Sequence, residues 1–390
     1  MNPFSVFTRK AAFLIRILLC IAAAAALLAW PATAAQGMTQ GVALCLETLV
    51  PSLFPFMVLA EYLSASGLGE AAGKRLHRLS RQLFALPGAA APVIVLAFLG
   101  GYPVGAVGAA GLLRRGLLTR KETRRLMALC CLPSPAFMVC AVGERMLGSA
   151  QAGWLLWGCT ALAALLPALV RARFSKKENG RESTPAAASP AKSDAFTGAV
   201  AAAARSLFLL CAFVALFSAM NALLQQTAFP AFLVRISGLF LPETAAQSLL
   251  PVLLEVTGGI ASCAQAGAPL WLAAFAAGWG GLCVHGQVFS FLKAGELSRG
   301  VFLFDRFLHG ALSAILTGLV LALFPRTAEV FATCSSASTQ YFSSAIPASA
   351  ALLILCAVYL LCTQSRPTFG QFSRFTAIFH RKSNKHTDFV

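Results

Sequence analysis

Two residues stand out for chemistry because of the company they keep. Glu255 sits inside an apolar run, Ala245 to Ala268, that breaks at Glu255-Val256-Thr257-Gly258-Gly259. His285 sits in a second run, Leu270 to Leu292, interrupted from Gly280 to Gly286. An ionisable side chain in so apolar a segment costs about 2.5–3.5 kcal/mol to place in a bilayer and marks a functional position by default. A carboxylate there can hold a proton or a sodium ion, or hydrogen-bond a solute. An imidazole, with an ordinary pKa of about 6.5, can carry a proton. Plainer readings stand beside these: Glu255 at the outer surface, and His285 as a helix-packing histidine.

Earlier in the chain, Gly100-Gly101-Tyr102-Pro103 interrupts Leu83 to Leu113, and Leu132-Pro133-Ser134-Pro135 interrupts Leu126 to Leu147. Pro103 and Pro135 suit the first position of a new half-helix, and Ser134 is a natural N-cap. The N-terminus of a half-helix carries about half a positive charge and aims N–H groups at whatever sits there, which favours carboxylates. Gly100, Gly101 and Gly105 let backbone approach closely from one side; Thr257, Gly258 and Gly259 would do so from the other. Small-residue helix packing is the alternative. The substrate-binding candidates are therefore Gly100, Gly101, Tyr102, Pro103, Ser134, Thr257, Gly258 and Gly259, with Glu255 and His285 as ion-coupling candidates. Asp305-Arg306 with His309 reads as an interfacial ion pair. No HExxH, GxSxG or GxxxxGK[ST] motif occurs, so neither an enzyme nor an ATP-driven pump is indicated. The 12 cysteines lie mostly in apolar runs, with no metal-site or disulfide spacing. No catalytic or metal site and no cofactor is expected beyond a coupling Na+ or H+.

The elements that must hold these residues are membrane helices. The sequence is 58% hydrophobic and 12% charged, with mean hydropathy +0.75; a soluble domain carries about 25% charge. The net charge of +17 falls between apolar runs, as topology charge and contact with anionic lipid rather than nucleic acid. Basic clusters flank Leu83–Leu113 on both sides, Lys74 to Arg81 before it and Arg114 to Arg125 after it. If both ends lie inside, the segment must turn at its break. Each arm is then about 18 Å of helix, too short to span alone. Broken backbone at membrane depth survives only against protein or a watery cavity. The segment reads as a re-entrant hairpin, with a single full span as the alternative.

Pro92–Gly101 (PVIVLAFLGG) and Pro251–Gly259 (PVLLEVTGG) share a shape, and each is followed by another broken span. With both termini cytoplasmic, the two halves run in opposite directions. Paired broken segments in inverted halves point to a transporter's binding site. A parallel alignment of Gly100–Arg120 with Gly280–Arg299 competes with this. The expected architecture is an all-α polytopic membrane protein, an inverted-repeat transporter-like bundle with two re-entrant hairpins and broken helices. Its parts are an N-terminal span (1–40, with a signal-peptide grammar but read as uncleaved), a first repeat (41–172), a cytoplasmic linker (173–195), a second, inverted repeat (196–325), an outer loop and last span (326–363) and a basic cytoplasmic tail (364–390).

At Glu47–Leu63 (ETLVPSLFPFMVLAEYL), Leu86–Ala106, Ser134–Ser149 and Leu253–Gly259 the chain resembles the YlbJ-type sporulation integral membrane proteins, within the nucleoside-recognition (Gate) family. The resemblance covers about Gly41 to Phe324. It implies an architecture similar to concentrative nucleoside transporters, the outer forespore membrane of a sporulating cell, and movement of dipicolinate, an aromatic dicarboxylate. The chain departs from the family at Cys131-Leu132 and at Gly258, where the family commonly has asparagines; that bears on cargo rather than architecture. The expected function is a plasma-membrane permease for a small organic anion, working by alternating access, with room for a homo-oligomer. The alternatives are a non-transporting scaffold for spore-envelope assembly and a nucleoside-type permease.

Overall fold

A computed structural model describes residues 3–66, 76, 78, 80–174, 195–292 and 296–324. Every element among them is helical. Five of these helices are long and apolar enough to cross a membrane: Pro31–Leu63, Ala150–Phe174, Ala195–Gln225, Leu270–Phe291 and Arg299–Leu323. The protein is an all-α polytopic membrane protein. Residues 175–194 of the expected linker, and the expected outer loop, last span and tail, lie outside the described residues.

Helix α1 (Pro3–Ala29) turns at Trp30 into α2 (Pro31–Leu44), where Pro31 takes the first helical position, the one place its missing N–H costs nothing. A wide π-turn, Cys45–Leu49, joins α2 to α3 (Val50–Ala65). Pro51 has no N–H for the carbonyl of Glu47 four residues back; the guanidinium of Arg145 donates to that carbonyl instead. The α2–α3 rod lies along α8 (Ala195–Gln225). Gly37 and Gly41, one turn apart, make the fit: a Cβ on Gly37 would stand 2.6 Å from the Ala222 methyl, and one on Gly41 2.8 Å from the Ala215 Cα. Without a solvent-driven hydrophobic effect between helices in lipid, such close backbone approach supplies the packing.

Next come α4 (Ala90–Gly100) and α5 (Tyr102–Arg114), joined at Gly101, whose φ of 77° is left-handed territory that favours glycine. Gly108 of α5 faces Val93 of α4, so the two arms run antiparallel as a hairpin. A capping box, Thr119 with Glu122, starts α6 (Arg120–Cys130). The chain is then non-helical from Cys131 to Ser134 and continues as a π-helix, Phe137–Met146. The expected amphipathic connection and the first half of the broken span are thus one helix. Helix α7 (Ala150–Phe174) closes the first half.

The second half repeats the order. After α8 and the short α9 (Phe229–Ser237) come α10 (Glu243–Leu254) and α11 (Val256–Ala266), which meet at one extended residue, Glu255 (φ −151°, ψ 132°). Gly259 packs against Val252, so these arms also fold back on each other. Gly258 and Gly259 lie inside α11, making the break narrower than the five residues expected. The run Leu270–Leu292 becomes α12 (Leu270–Trp279) and α13 (Gly281–Phe291), parted at Gly280 and Gly281 with φ of 82° and 71°. Residues 282–286 are helical, so this break too is shorter than expected. Helix α14 (Arg299–Leu323) follows.

Contacts between the halves come in exchanged pairs. Helix α5 meets α13 as α11 meets the π-helix; α6 meets α14 as α12 meets α7; and α7 meets α14. The breaks pair likewise. A Cβ on Gly101 would lie 2.8 Å from the Ser134 nitrogen, and one on Gly281 2.8 Å from both the nitrogen and Cα of Glu255. Each hairpin tip therefore rests on the break of the next helix in its own half, and only a glycine permits it. Gly101→Ala and Gly281→Ala should each destabilise the detergent-solubilised protein by on the order of 2–4 kcal/mol, from the strained φ plus the overlap. Gly111→Ala, where a Cβ meets nothing within 4 Å, should leave the unfolding midpoint unchanged or slightly raised. Thermal unfolding followed by tryptophan fluorescence reads all three.

Candidate functional site

The four breaks leave half-helix ends in an apolar interior, so each end needs a partner. Ser134 caps the helix that begins at Pro135: its hydroxyl accepts from the Phe137 N–H at 3.1 Å. At the start of α11 the cap is a carboxylate. Glu255 accepts from the Thr257 N–H at 2.8 Å and the Gly258 N–H at 2.5 Å, one oxygen to each, and its side chain is buried, with 4% exposure. Glutamate is not among the favoured N-caps. It serves here because the preceding residue is extended and the helix starts within reach of its longer side chain. No side chain caps α5, whose N-cap is Gly101.

The C-terminal ends are served from elsewhere. Tyr102 donates its hydroxyl to the Ala277 carbonyl in the last turn of α12, and so ties the first hairpin's tip to the second half. His285 places Nε2 2.9 Å from the Trp279 carbonyl, with its ring edge-on to Trp279 and Phe302. Donation to a carbonyl puts the proton on Nε2; Nδ1 is buried with no partner. The Trp279 indole N–H in turn donates to the Leu253 carbonyl at the end of α10, at 3.1 Å.

Arg306 serves the end of α6. It is 1% exposed, donates to the Ala128 carbonyl at 2.9 Å and to the Cys131 carbonyl, and lies 2.9 Å from His309 Nδ1. The other nitrogen of His309 is 2.8 Å from the Thr160 carbonyl of α7. The expected Asp305–Arg306 ion pair does not form. Neighbours in a helix point about 100° apart, and Asp305 turns to Arg124 of α6 at 3.2 Å and Arg171 of α7 at 2.7 Å.

Between the breaks lies a cavity of about 50 Å³, room for a few waters. Its wall brings together Gly100, Gly101, Tyr102, Pro103, Ser134, Glu255 and Thr257. Gly258 and Gly259 are not in that wall; Gly258 faces the Glu255 carboxylate and Gly259 the α10 backbone. His285 also stands behind it, turned to Trp279. The rest of the wall is apolar, from Leu49, Leu53, Phe56 and Met57 on one side to Leu210 and Val214 of α8 on the other, apart from Gln287 of α13. Sequence reasoning passed over Gln287 and paired Arg306 with the wrong neighbour, although each is a polar side chain in an apolar run, the same signal that singled out Glu255. The lining holds one carboxylate, one amide and three hydroxyls, and no lysine, arginine or histidine. Among the described residues no cluster of histidine, cysteine and acidic side chains could hold a metal ion.

The chain is 25% identical to the sporulation integral membrane protein YlbJ of Bacillus subtilis over 327 residues, 76% of this chain and 79% of that protein. It resembles the YlbJ-type proteins along most of its length. No protein-family model matches it, and no solved structure does. Cys131 and Leu132, before the prolines, are fully buried, and the polar group at Cys131 is its carbonyl, held by Arg306.

Arg306→Met should destabilise the protein by about 3 kcal/mol, because two buried carbonyls lose a charged donor and each costs ~1–3 kcal/mol unmade. Arg306→Lys should recover only part of this, since one ammonium does not reproduce the guanidinium fork. Denaturant titration in detergent checks both.

Proposed function

We propose that the chain is an integral membrane permease associated with sporulation, moving a small organic anion by alternating access between two inverted halves. The observation that carries this is the meeting of two hairpin tips, Gly101 and Glu255, at one cavity, each tip resting on the break of the following helix. A structural scaffold has no need of broken backbone in its apolar interior, where every unserved end costs free energy. A solute site does, because breaks supply N–H groups that an intact helix spends on itself. The exchanged contact pairs between the halves support the inverted relation. The YlbJ relative supports the sporulation setting, and the family resemblance together with the expected topology would make the outer forespore membrane its site. The two hairpins would then be re-entrant, one from each face.

The anion reading rests on α5, whose N-terminus opens on the cavity at Gly101 without a side-chain cap, and on Ser134 beside it. Aromatic dicarboxylates, the class the family resemblance implies, fit that chemistry. The lack of a cationic side chain in the wall favours a second reading, a nucleoside-type permease, in which Glu255 and Gln287 take sugar hydroxyls.

Uptake into proteoliposomes tests both readings. Radiolabelled pyridine-2,6-dicarboxylate should enter vesicles holding the wild-type chain faster than protein-free vesicles, and uridine should not. Uridine entry alone would move the assignment to the second reading; entry of neither under any ion gradient would leave the scaffold. Val214→Trp fills the cavity from α8 and should bring uptake to background while the gel-filtration profile stays that of the wild type.

A further inference from the structure

We propose that Glu255 is the resident anion of the cavity, and that a cargo carboxylate binds by taking over its two N–H donors while Glu255 accepts a proton. The proposal rests on the permease reading above and supplies its coupling ion.

The cavity contains one charged side chain, and that charge has the same sign as the proposed cargo. The donors best placed to hold a carboxylate, the N–H groups of Thr257 and Gly258, are already held by Glu255 at 2.8 and 2.5 Å. No cationic side chain lines the cavity to balance a second negative charge. Leu210 and Val214 come from α8, Phe137 from the π-helix, and Val284 and Gln287 from α13. The ionisable groups close enough to feel the Glu255 charge are Cys45, Tyr102 and Cys283. Cys211 lies beyond Cys45, and all of these are neutral or negative when they titrate. Arg306 is buried, but its guanidinium is engaged with the Ala128 and Cys131 carbonyls at the end of α6. His285 is turned to Trp279.

Two carboxylates at one helix end in a site without a counter-ion repel strongly, so one of them takes a proton. Protonated Glu255 gives up its claim on both N–H groups, because a neutral carboxyl is the weaker acceptor. Its new O–H can then donate to the cargo. The balance is simple. One proton from the side of entry binds one Glu255 oxygen for each cargo molecule admitted, no covalent bond of the cargo changes, and the α11 helix start keeps a single negative charge. In the unloaded protein the carboxylate returns to α11 and satisfies its N-terminus, so the empty site carries no unmade donors. That makes the protein a proton–carboxylate symporter whose coupling group doubles as a stand-in for the cargo.

The test uses proteoliposomes with the membrane potential clamped at zero by potassium and valinomycin, and labelled pyridine-2,6-dicarboxylate as the probe. With the outside one pH unit more acidic, wild-type vesicles should accumulate the probe about tenfold per coupled proton above protein-free vesicles. Glu255→Gln should lose accumulation, so that any probe it admits reaches an inside-to-outside ratio near one. Wild-type uptake indifferent to the pH gradient, or gradient-driven accumulation by Glu255→Gln, overturns the inference and leaves the permease standing. No wild-type uptake at all removes the permease and the inference together. A second measurement needs only the wild type: in weakly buffered detergent solution, binding should take up about one proton per probe molecule bound. Binding with no change in a pH-indicator dye overturns the inference even if the variant does not fold.

Discussion

The structure depends on one constraint, that peptide groups exposed by a broken helix in an apolar interior must find partners inside the protein. Each one left unmade costs about 1–3 kcal/mol, and four breaks expose many. The chain meets the constraint with side chains, several of them from other elements. Arg306 of α14 holds the end of α6, Tyr102 of α5 holds the end of α12 with His285, Trp279 holds the end of α10, and Glu255 holds the start of α11. Three of the four breaks are served by a residue from another helix, Arg306, Trp279 and Tyr102, and at two of them that residue comes from the other half of the chain.

The partners fall into two kinds, which bears on motion. Within each half, a hairpin tip lies on the following break through backbone contact that a single Cβ would abolish, at Gly101 with Ser134 and at Gly281 with Glu255. Such contacts admit little sliding, so tip and break move as one piece. Between the halves, outside the close glycine packing of α2 on α8, the connections include side-chain hydrogen bonds and ion pairs: Tyr102 to Ala277, Arg306 to Cys131, His309 to Thr160, and Asp305 to Arg124 and Arg171. These can be exchanged for others at modest cost. A change of access that rocks one half against the other would break the second kind and keep the first. The ion pairs of Asp305 join α6, α7 and α14 at the basic end of the bundle, and they are among the contacts such a rocking would have to release.

Most of the helical architecture was legible in the sequence, because apolar length and paired Gly/Pro interruptions report directly on helices and their breaks. Ser134 as a cap and Pro135 as a helix start follow from residue type alone. The extent of the breaks was less legible. The glycines after Glu255 suggested a long irregular stretch, but Gly258 and Gly259 are helical, small because α10 and the Glu255 carboxylate press on them. Gly37 and Gly41 drew no notice, since one small-residue pair in an alanine-rich run carries no mark of its partner on α8. Arg306 was read with Asp305 because they are adjacent in sequence, whereas the helix turns them to different neighbours. His285 shows the limit most clearly. A histidine in a broken apolar run has the composition of a coupling site, and only the fold reveals that its ring serves the carbonyl of Trp279.

The two hairpins are built alike but end differently, and the difference gives the cavity a direction. The first tip offers a helix start at Gly101 that has no side chain to cap it. The second brings its own carboxylate and satisfies two N–H groups with it. A pseudo-symmetric frame with identical tips would present the same face to a solute from either side and could not fix its orientation. With one open helix start and one self-capped, a solute that carries a negative group has an end that belongs at Gly101 and an end that must contend with Glu255. The departure from symmetry comes from a single position: a glycine turns one tip, where left-handed backbone is required, and a glutamate turns the other, where extended backbone suffices.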